Sequence, residues 1–273
     1  MRKISTLMVS VLCMMMPVGT EAQVPTAFVS KGATDIQAQP HTITQTNSGA
    51  QWAPIDPMVR SITMDDGLPS NAVRSVAQGS KGYMWFGTDN GLCRFDGYDV
   101  KTYYNPFTTV DQFVSALTAC EEGLLVGCNN GAYLFCNATD RFQKLSDKIT
   151  APVLNFSLDG DQNIWISTNG QGVFRYNRTT HELHQYPMKN IQGKVQSTLV
   201  DANNQVWMLC NHGGASIYHL NKSTDQFEAF PLKGDATMFY GMAMLAAPDG
   251  NLYVGTWENG LYKLNADGSA EQL

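Results

Sequence analysis

The stretch SKGYMWFGTDNGLCRFDGY, residues Ser80–Tyr98, reads as a strand, a tight turn and a second strand. Residues 83–88 are aromatic and apolar, residues 89–91 are the triplet Asp-Asn-Gly, and residues 92–95 are apolar again. A tight hairpin turn requires positive φ, which Asn and Gly adopt at low cost, so Asn-Gly between two apolar runs is a strong hairpin signal. The stretch therefore predicts a β-hairpin.

The hairpin pattern recurs four more times along the chain. The five copies begin at Trp85, Leu125, Trp165, Trp207 and Tyr253, which are separated by 40, 40, 42 and 46 residues. Each repeat contains four short apolar runs between turns rich in Gly, Asn and Asp, and no amphipathic helix of useful length accompanies them. Four strands per repeat of this length are typical of a propeller blade. The sequence therefore predicts an all-β fold, a β-propeller of four-stranded blades with five repeats visible.

Stacking of the blades explains why bulky residues return in register. One four-stranded sheet cannot bury both of its faces alone, so neighbouring blades bury aromatic side chains between them. Trp85, Trp165 and Trp207 are therefore expected to be core residues and not sugar-stacking platforms.

The N-terminus resembles a secretory signal. Arg2 and Lys3 precede the apolar residues 4–16, and Thr20-Glu21-Ala22 offers small residues for cleavage before Gln23. The apolar run is too short to span a bilayer, and no later stretch is long enough for a transmembrane helix. We expect an exported, periplasmic chain without a transmembrane segment after cleavage. The expected organisation is a signal peptide at 1–22, a flexible leader at 23–57 and a propeller at 58–273, with blades near 70–105, 110–146, 151–187, 195–231 and 238–273.

Composition narrows the class of function. Of the 273 residues, 43% are hydrophobic and 15% are charged, which favours a globular core over disorder. The formal net charge of −6, with no basic patch, argues against binding to nucleic acid.

The sequence contains no convincing metal or catalytic motif. His181 and His184 would point to opposite faces of a strand and could not share an ion. Residues 159–163 begin like a calcium loop, but the required Gly and the later Glu are missing. No G-x-S-x-G elbow occurs either. We therefore expect no cofactor, no metal and no catalytic residue.

Five cysteines remain after signal cleavage, an odd number that cannot pair completely within the chain. Their spacing matches no zinc pattern. Cys128 and Cys210 fall where other repeats carry threonine, which favours small strand residues over a disulfide framework. We expect free, buried thiols at Cys93, Cys120, Cys128, Cys136 and Cys210.

Residues 67–105, GLPSNAVRSVAQGSKGYMWFGTDNGLCRFDGYDVKTYYN, resemble the periplasmic propeller repeats of hybrid two-component sensors common in Bacteroidetes. The agreement includes Asp66-Gly67-Leu68, Asn71-Ala72-Val73, Gly82, Trp85, Gly87-Thr88, Gly91-Leu92, Arg94 and Phe95-Asp96-Gly97. The resemblance covers about Val59 to Leu273 and is weaker in the later repeats.

The resemblance implies a ligand-sensing function. Relatives of this kind carry two propellers and a small all-β domain, then a membrane helix and a cytoplasmic histidine kinase, and they typically detect fragments of polysaccharides. This sequence has no second propeller, membrane helix, phospho-accepting His segment or ATP-binding glycines. We therefore expect a non-catalytic N-terminal sensor part whose partners are an oligosaccharide, or another small periplasmic ligand, and the remainder of a sensor kinase.

The resemblance leaves two versions of the ring. Val59–Met64 resembles the outer strand that completes the last blade in this family. In a five-bladed ring this segment would complete repeat five and leave Ser269–Leu273 unused. In a seven-bladed ring the last blade lies beyond Leu273, and we favour this open, incomplete version.

Candidate ligand-binding residues lie in the turns between the second and third strands, which share one face of a propeller. Amides hydrogen-bond hydroxyl groups and an indole stacks on a sugar face, although tight turns also favour Asn for their own geometry. Trp257 is the strongest candidate because turn geometry does not require Trp. Arg74, at the start of a first strand, either faces the central channel or is neutralised by Asp65 or Asp66. The full set of candidates is Trp257, Glu258, Asn259, His212, Asn211, Asn169, Asn130, Asn90 and Arg74.

Another set of asparagines, Asn137, Asn177, Asn221 and Asn265, recurs between the third and fourth strands. Three of them lie in glycosylation sequons, but turn formation explains all four.

Three functions remain open from the sequence. The first is a periplasmic ligand-sensing propeller of a two-component system. The second is a propeller enzyme, lyase-like or hydrolase-like, that acts on a periplasmic small molecule or glycan. The third is a protein-interaction scaffold.

Overall fold

Twenty strands and one 3₁₀ turn make up the regular structure of the described residues. The computed structural model describes residues 61–103, 113–187, 194–211, 217–233, 241–247, 250–257, 259–265 and 267–273. Blade one contains β1 Val73–Gln78, β2 Met84–Thr88, β3 Gly91–Phe95 and β4 Val100–Tyr103. Blade two contains β5 Val114–Ala119, β6 Gly123–Cys128, β7 Gly131–Cys136 and β8 Arg141–Lys144. Blade three contains β9 Val153–Leu158, β10 Asn163–Thr168, β11 Gly172–Asn177 and β12 Leu183–Tyr186. Blade four contains β13 Lys194–Val200, β14 Val206–Asn211, β15 Ile217–Asn221 and β16 Gln226–Ala229. Blade five contains β17 Gly241–Ala246, β18 Leu252–Thr256, β19 Leu261–Leu264 and β20 Ala270–Gln272.

Each blade is an antiparallel sheet whose strands pair in chain order. The hairpin predicted from Ser80–Tyr98 is present as β2 and β3, with Thr88 paired to Gly91 across the turn. The first strands of successive blades, β1, β5, β9, β13 and β17, contact one another in that order. The prediction of an all-β fold built from five four-stranded blades is confirmed.

The blades pack through alternating side chains, as expected for sheets that present opposite faces to two neighbours. Trp85 and Trp165 are only 2% and 1% exposed, so their prediction as core residues is confirmed. Trp85 packs with residues of blade two, and Trp165 packs with residues of blade four. Trp207 is half-buried and packs against the cluster that joins blades four and five.

Two tryptophans at the blade boundaries, the buried Trp165 and the half-buried Trp207, also have polar anchors. The indole Nε1 of Trp165 donates a hydrogen bond of 2.8 Å to Asp159 Oδ2, and Trp207 Nε1 donates one of 2.9 Å to Asp201 Oδ2. Blade one has Gly79 at this position, and a Cβ there would lie 2.8 Å from Trp85 Nε1. At this position, six residues before the tryptophan, a carboxylate therefore accepts a hydrogen bond from the indole in two blades. In blade one a glycine leaves space for the indole instead.

Small and large residues complement each other where a second strand meets the next blade. A Cβ on Gly87 would lie 2.7 Å from Val114 Cγ1, and a Cβ on Gly127 would lie 2.8 Å from Val153 Cγ1. Between blades four and five the sizes are exchanged, because a Cβ on Gly241 would lie 2.6 Å from Leu209 Cδ1. Close approach of the blades therefore requires one small partner at each of these contacts.

An ion pair crosses every boundary between the five blades, and each pair uses the turn between the third and fourth strands of the later blade. The four pairs are Lys101–Asp140, Arg178–Glu122, Arg175–Asp225 and Lys233–Asp267. Most of these side chains are substantially exposed, so each pair contributes little stability by itself. The Arg175–Asp225 pair is bidentate, with N–O distances of 2.8 and 3.0 Å, and Tyr186 also donates a hydrogen bond to Asp225.

Asp225→Asn is expected to lower the free energy of unfolding by about 1–2 kcal/mol at pH 7, because it removes charge-assisted hydrogen bonds at a partly exposed boundary. Burial disfavours the charged carboxylate, but the hydrogen bonds from Tyr186 and Arg175 outweigh it, so the pKa of Asp225 is lowered. This stabilisation is therefore present above the ordinary Asp pKa of about 4 and is lost as the pH falls below it. Urea unfolding of both proteins at pH 7 and pH 3 checks this, and an equal difference at the two pH values would contradict it.

The segment before blade one does not form the predicted outer strand. Met64–Asp66 is a 3₁₀ turn, fixed by a capping box in which Asp65 N donates to Thr63 Oγ1 and Thr63 N donates to Asp66 Oδ2. Ile62 and Leu68 pack onto blade one with Phe86, Cys93 and other apolar residues. Val59 and Arg60 lie outside the described residues.

The fourth strand of blade five comes from β20, which pairs with β19 from Tyr262–Gln272 to Leu264–Ala270. The five-bladed version, in which residues 59–64 complete that blade and residues 269–273 stay unused, is therefore wrong. The seven-bladed version stays a prediction.

All five described cysteines are free, in agreement with the prediction. Burial raises the pKa of Cys93 and Cys210 to about 12 and that of Cys120 to about 11, so these thiols stay protonated. Cys136 differs from the prediction because it is only half-buried. Hydrogen bonds from Thr139 and from the backbone of Ala138 lower its pKa.

Candidate ligand-binding face

The turns between second and third strands lie at the same end of each blade as the start of the first strand, since Val73 pairs with Thr88 and Thr88 with Gly91. We call this end of the blades the turn face. Three of its hairpins share one feature, in which a threonine hydroxyl donates to the carbonyl of the glycine that closes the turn. The distances are 2.8 Å for Thr88 to Gly91, 2.7 Å for Thr168 to Gly172 and 2.9 Å for Thr256 to Gly260. The recurring Thr and Gly are therefore explained by turn geometry.

A β-bulge interrupts the pairing of each first strand at the turn face. The bulged residues are Arg74, Ser115, Leu154, Gln196 and Met242. Each is at least partly exposed, while the residue before it packs between blades in four of the five cases. A bulge redirects a side chain and is common beside binding sites. The five bulged residues occupy the same position in their blades. They give the turn face an inner row of side chains that consists of one cation, two polar groups and two apolar groups.

Sequence reasoning found only Arg74 of this inner row. Ser115, Leu154, Gln196 and Met242 stand in runs that read as ordinary alternating strands, and the extra residue of a bulge leaves no mark on composition. Alignment of the valines that precede four of the bulges, Val73, Val114, Val153 and Val195, was the available signal.

Arg74 forms a pair different from the one predicted. Its Nε and Nη2 donate to the two carboxylate oxygens of Asp89, at 2.6 and 2.9 Å, and not to Asp65 or Asp66. The pair is close in space because β1 and β2 run side by side, although Asp89 is further away in the sequence. The guanidinium also lies 5.6 Å from the centre of the Phe113 ring. The guanidinium of Arg74 is therefore a half-exposed cation that Asp89 holds in a fixed orientation beside an aromatic ring.

Several candidate amides serve the turns themselves. The amide of Asn90 donates to Pro69 O at 3.4 Å, and Asn130 Oδ1 accepts from the Tyr133 hydroxyl at 3.1 Å. Gln171, a turn-face amide outside the candidate set, holds the connection between blades two and three, since its Oε1 accepts from the backbone N–H groups of Thr150 and Ala151. These amides position the backbone of the turn face and keep only part of their capacity for a ligand.

Two further candidate amides, Asn169 and Asn211, differ in their exposure to solvent. Asn169 has an exposed side chain, while Asn211 Nδ2 donates to Gln196 Oε1 of the inner row at 3.0 Å. Asn211 Oδ1 is buried and has no hydrogen-bond partner in the part of the chain that the structure describes. The structure thus brings Asn211 next to a bulged residue, a contact that the sequence did not indicate.

Trp257 has the most available aromatic surface of the candidates that the structure describes. Its side chain is 55% exposed. The turn that carries it is fixed, because Asn259 N donates to Thr256 Oγ1 at 3.0 Å and Gln272 Nε2 donates to Asn259 O at 2.9 Å. Glu258 and His212 lie outside the described residues.

Metal-binding chemistry has little support in the described ranges. Within them, no group of three or more His, Cys, Asp and Glu side chains is placed to hold an ion. His181 lies in a turn at φ 60° and not on the predicted strand, and its Nδ1 is 2.7 Å from the Tyr176 hydroxyl. His184 lies on β12 and packs against Tyr186. Asp159 accepts hydrogen bonds from the backbone of Asp161 and Asn163, as an ordinary turn residue does.

The asparagines between third and fourth strands form turns, as predicted, except in blade two. Asn177 Oδ1 accepts from the N–H groups of Thr179 and Thr180, and Asn221 Oδ1 accepts from Ser223 N. In blade two this position is held by Cys136 and not by Asn137, because Asp140 N donates to Cys136 O just as His181 N donates to Asn177 O.

The fold and the turn face define a class of protein, a β-propeller of four-stranded blades. Residues 67–90 match the family model described as two component regulator propeller. No functionally curated protein matches the chain. In the part of the chain that the structure describes, no helix is long and apolar enough to cross a membrane.

Solved structures share this fold at low sequence identity. The extracellular domain of the hybrid two component system BT3049 from B. thetaiotaomicron is 18% identical, with a TM-score of 0.64 over 78% of this chain and 31% of that chain. The extracellular domain of BT4673 from the same organism is 20% identical, with a TM-score of 0.63 over 74% of this chain and 27% of that chain. Streptogramin B lyase is 17% identical, with a TM-score of 0.61 over 75% of this chain and 69% of that chain. This chain therefore spans less than a third of the two extracellular domains, and at these identities the likeness concerns the fold alone.

Proposed function

We propose that this chain is the ligand-sensing part of a two-component signal transduction system and that the turn face binds an oligosaccharide. The match of residues 67–90 to the two component regulator propeller family supports the sensory role. The structural neighbours BT3049 and BT4673 are extracellular domains of two component systems, which is consistent with it. The remainder of a sensor histidine kinase would be the partner, and the chain itself is non-catalytic.

The observation that carries the choice of ligand is the exposed indole of Trp257 on a face rich in amides. An indole offers a flat apolar surface to the C–H face of a sugar ring, while amides and the guanidinium of Arg74 offer hydrogen bonds to hydroxyl groups. The turns hold these groups in place before a ligand arrives, which reduces the entropy lost on binding.

The proposal includes export. Residues 1–22 serve as a signal peptide, residues 23–57 as a leader, and the propeller from residue 58 works in the periplasm. The positive residues Arg2 and Lys3 before an apolar run support this reading.

Trp257→Ala is expected to weaken oligosaccharide binding at least tenfold, which corresponds to about 1.4 kcal/mol of lost stacking and burial. Calorimetric titration of the protein with a panel of oligosaccharides measures it. Tyr98→Ala is the matched control, because Tyr98 is an aromatic side chain that is 87% exposed but lies in the turn between β3 and β4, at the other end of its blade. Equal affinities for wild type and Trp257→Ala, or a loss caused by Tyr98→Ala, would contradict the proposed site, and failure of every oligosaccharide to bind would contradict the ligand class.

A further inference from the structure

A cluster of charged and aromatic side chains lies at the boundary between blades one and two, at the end of the blades opposite the turn face. Strand pairing places Trp85, Arg94 and Lys101 opposite one another in β2, β3 and β4, so their side chains share one face of the sheet. Asp140, which precedes β8 of blade two, accepts a hydrogen bond of 3.3 Å from Lys101 Nζ. The cluster therefore brings two cations and one carboxylate together.

The boundary between blades three and four carries the same residue types at the same positions, and there the arginine is paired. Arg175 donates to both carboxylate oxygens of Asp225, at 2.8 and 3.0 Å. Asp225 and Asp140 each precede the fourth strand of their blade and have similar backbone angles, with φ 52° and 53°. The counterparts in blade one of Trp165, Arg175, Tyr186 and Asp225 are Trp85, Arg94, Tyr103 and Asp140. Blade three thus shows how an arginine at this position holds a carboxylate.

Arg94 does not form the pair that Arg175 forms. Asp140 accepts from Lys101 and, at 3.5 Å, from the Tyr103 hydroxyl, and no other carboxylate of the described residues pairs with Arg94. The Arg94 guanidinium lies instead over the Tyr83 ring, with 4.4 Å between its Cζ atom and the ring centre. The N–H groups of Arg94 are therefore left without a carboxylate partner in the described part of the chain.

Asp96 is the other carboxylate near Arg94, and its own turn occupies it. Its Oδ1 accepts the backbone N–H groups of Tyr98 and Asp99, both at 2.9 Å. The pKa of Asp96 is lowered mainly by these hydrogen bonds and to a smaller extent by Arg94. Asp96 therefore reduces the positive field of Arg94 without filling its donors.

We infer that Arg94 and Lys101 form a binding site for the carboxylate of a small organic acid. A guanidinium presents parallel N–H groups that match the two oxygens of a carboxylate. Like charges placed opposite each other on a sheet repel, and Asp140 compensates only one of these two. The site is open to solvent, since the side chains of Lys101 and Asp140 are 54% and 55% exposed. The inference does not depend on the proposed oligosaccharide site, which lies at the other end of the blades.

Calorimetric titration of the full chain with glucuronate and glucose tests the inference. Glucuronate is expected to bind at least tenfold more tightly than glucose, and its affinity should fall as the salt concentration rises. Succinate in a parallel titration distinguishes the source of the carboxylate, because tighter binding of glucuronate assigns a sugar acid and tighter binding of succinate an aliphatic acid. Failure of both acids to bind, or tighter binding of inorganic sulfate than of either, would overturn the inference.

Matched variants locate the site. Arg94→Lys should weaken binding of the acid at least tenfold, because an ammonium group cannot offer two parallel N–H groups, and should change the melting temperature by no more than about 2 °C. Arg175→Lys, the same change at the equivalent position, should alter the affinity by no more than about twofold but lower the melting temperature by about 2 °C or more. Asp140→Asn should strengthen binding about two- to fivefold, because Lys101 loses its internal partner. Equal affinities for wild type and Arg94→Lys, or a loss caused by Arg74→Lys instead, would contradict the site.

Discussion

Trp165→Ala is expected to lower the free energy of unfolding by about 3–5 kcal/mol, the usual cost of removing a large aromatic side chain from a core. Trp165 is 1% exposed and lies between blades three and four, where its ring centre is 5.5 Å from that of Tyr186 and 6.0 Å from that of Phe227. The substitution also removes the hydrogen-bond donor to Asp159 Oδ2. The loss of packing and the loss of this anchor act in the same direction.

Urea denaturation followed by circular dichroism measures this loss, with Trp257→Ala as the matched control. Trp257 is largely exposed, so its removal should change the free energy of unfolding by no more than about 0.5 kcal/mol. Similar losses for the two variants would contradict the assignment of one indole to the core and the other to the surface.

Gly127→Val is expected to lower the free energy of unfolding by about 3 kcal/mol or more, because it overfills a packed boundary. Even the Cβ atom would lie 2.8 Å from Val153 Cγ1, 2.9 Å from Val153 Cβ and 3.1 Å from Ala116 Cβ. Val153 and Ala116 are both buried in the cluster between blades two and three, so neither can move aside cheaply.

A second substitution tests whether that contact causes the loss. Val153→Ala in the Gly127→Val background should recover at least half of the lost stability, because it exchanges the sizes as Leu209 and Gly241 do at the boundary between blades four and five. Thermal melts of the single and double variants check it. Additive losses in the double variant would show that the two residues do not oppose each other.

The blades were predictable because short-range signals determine them. The turn triplet at residues 89–91 and the return of tryptophan at fixed spacing define strand, turn and strand without reference to the rest of the chain. The packing role of Trp85 and Trp165 followed from that register. The same reasoning identified Trp257 as a residue that its turn does not need, and its side chain is exposed.

Features set by an extra residue or by contacts between distant segments were not predictable. Ile62 and Met64 alternate as in a strand, yet Thr63 and Asp66 close a capping box and turn the segment onto blade one. One of the two alternatives for Arg74 paired it with the nearest carboxylates in sequence, Asp65 or Asp66, whereas strand pairing places Asp89 beside it. The bulges, which set the inner row of the turn face, depend on hydrogen-bond register and not on residue type.

The solved structures that share this fold have different functions. Extracellular domains of two component systems and a streptogramin lyase share this fold with the chain at 20% identity or less. A propeller therefore does not choose between sensing and catalysis, since function resides in the site. For this chain the match of residues 67–90 to the regulator propeller family favours sensing.

The stacking of successive blades, with one face of blade five open, is tested most directly by measuring the free energy of unfolding of Gly127→Val and Gly255→Val side by side. Both glycines lie in the second strand of a blade at the same register, but among the described residues only Gly127 faces a following blade. The predicted result is a loss of about 3 kcal/mol or more for Gly127→Val and a change within about 0.5 kcal/mol for Gly255→Val. Equal losses in the two variants would contradict the account.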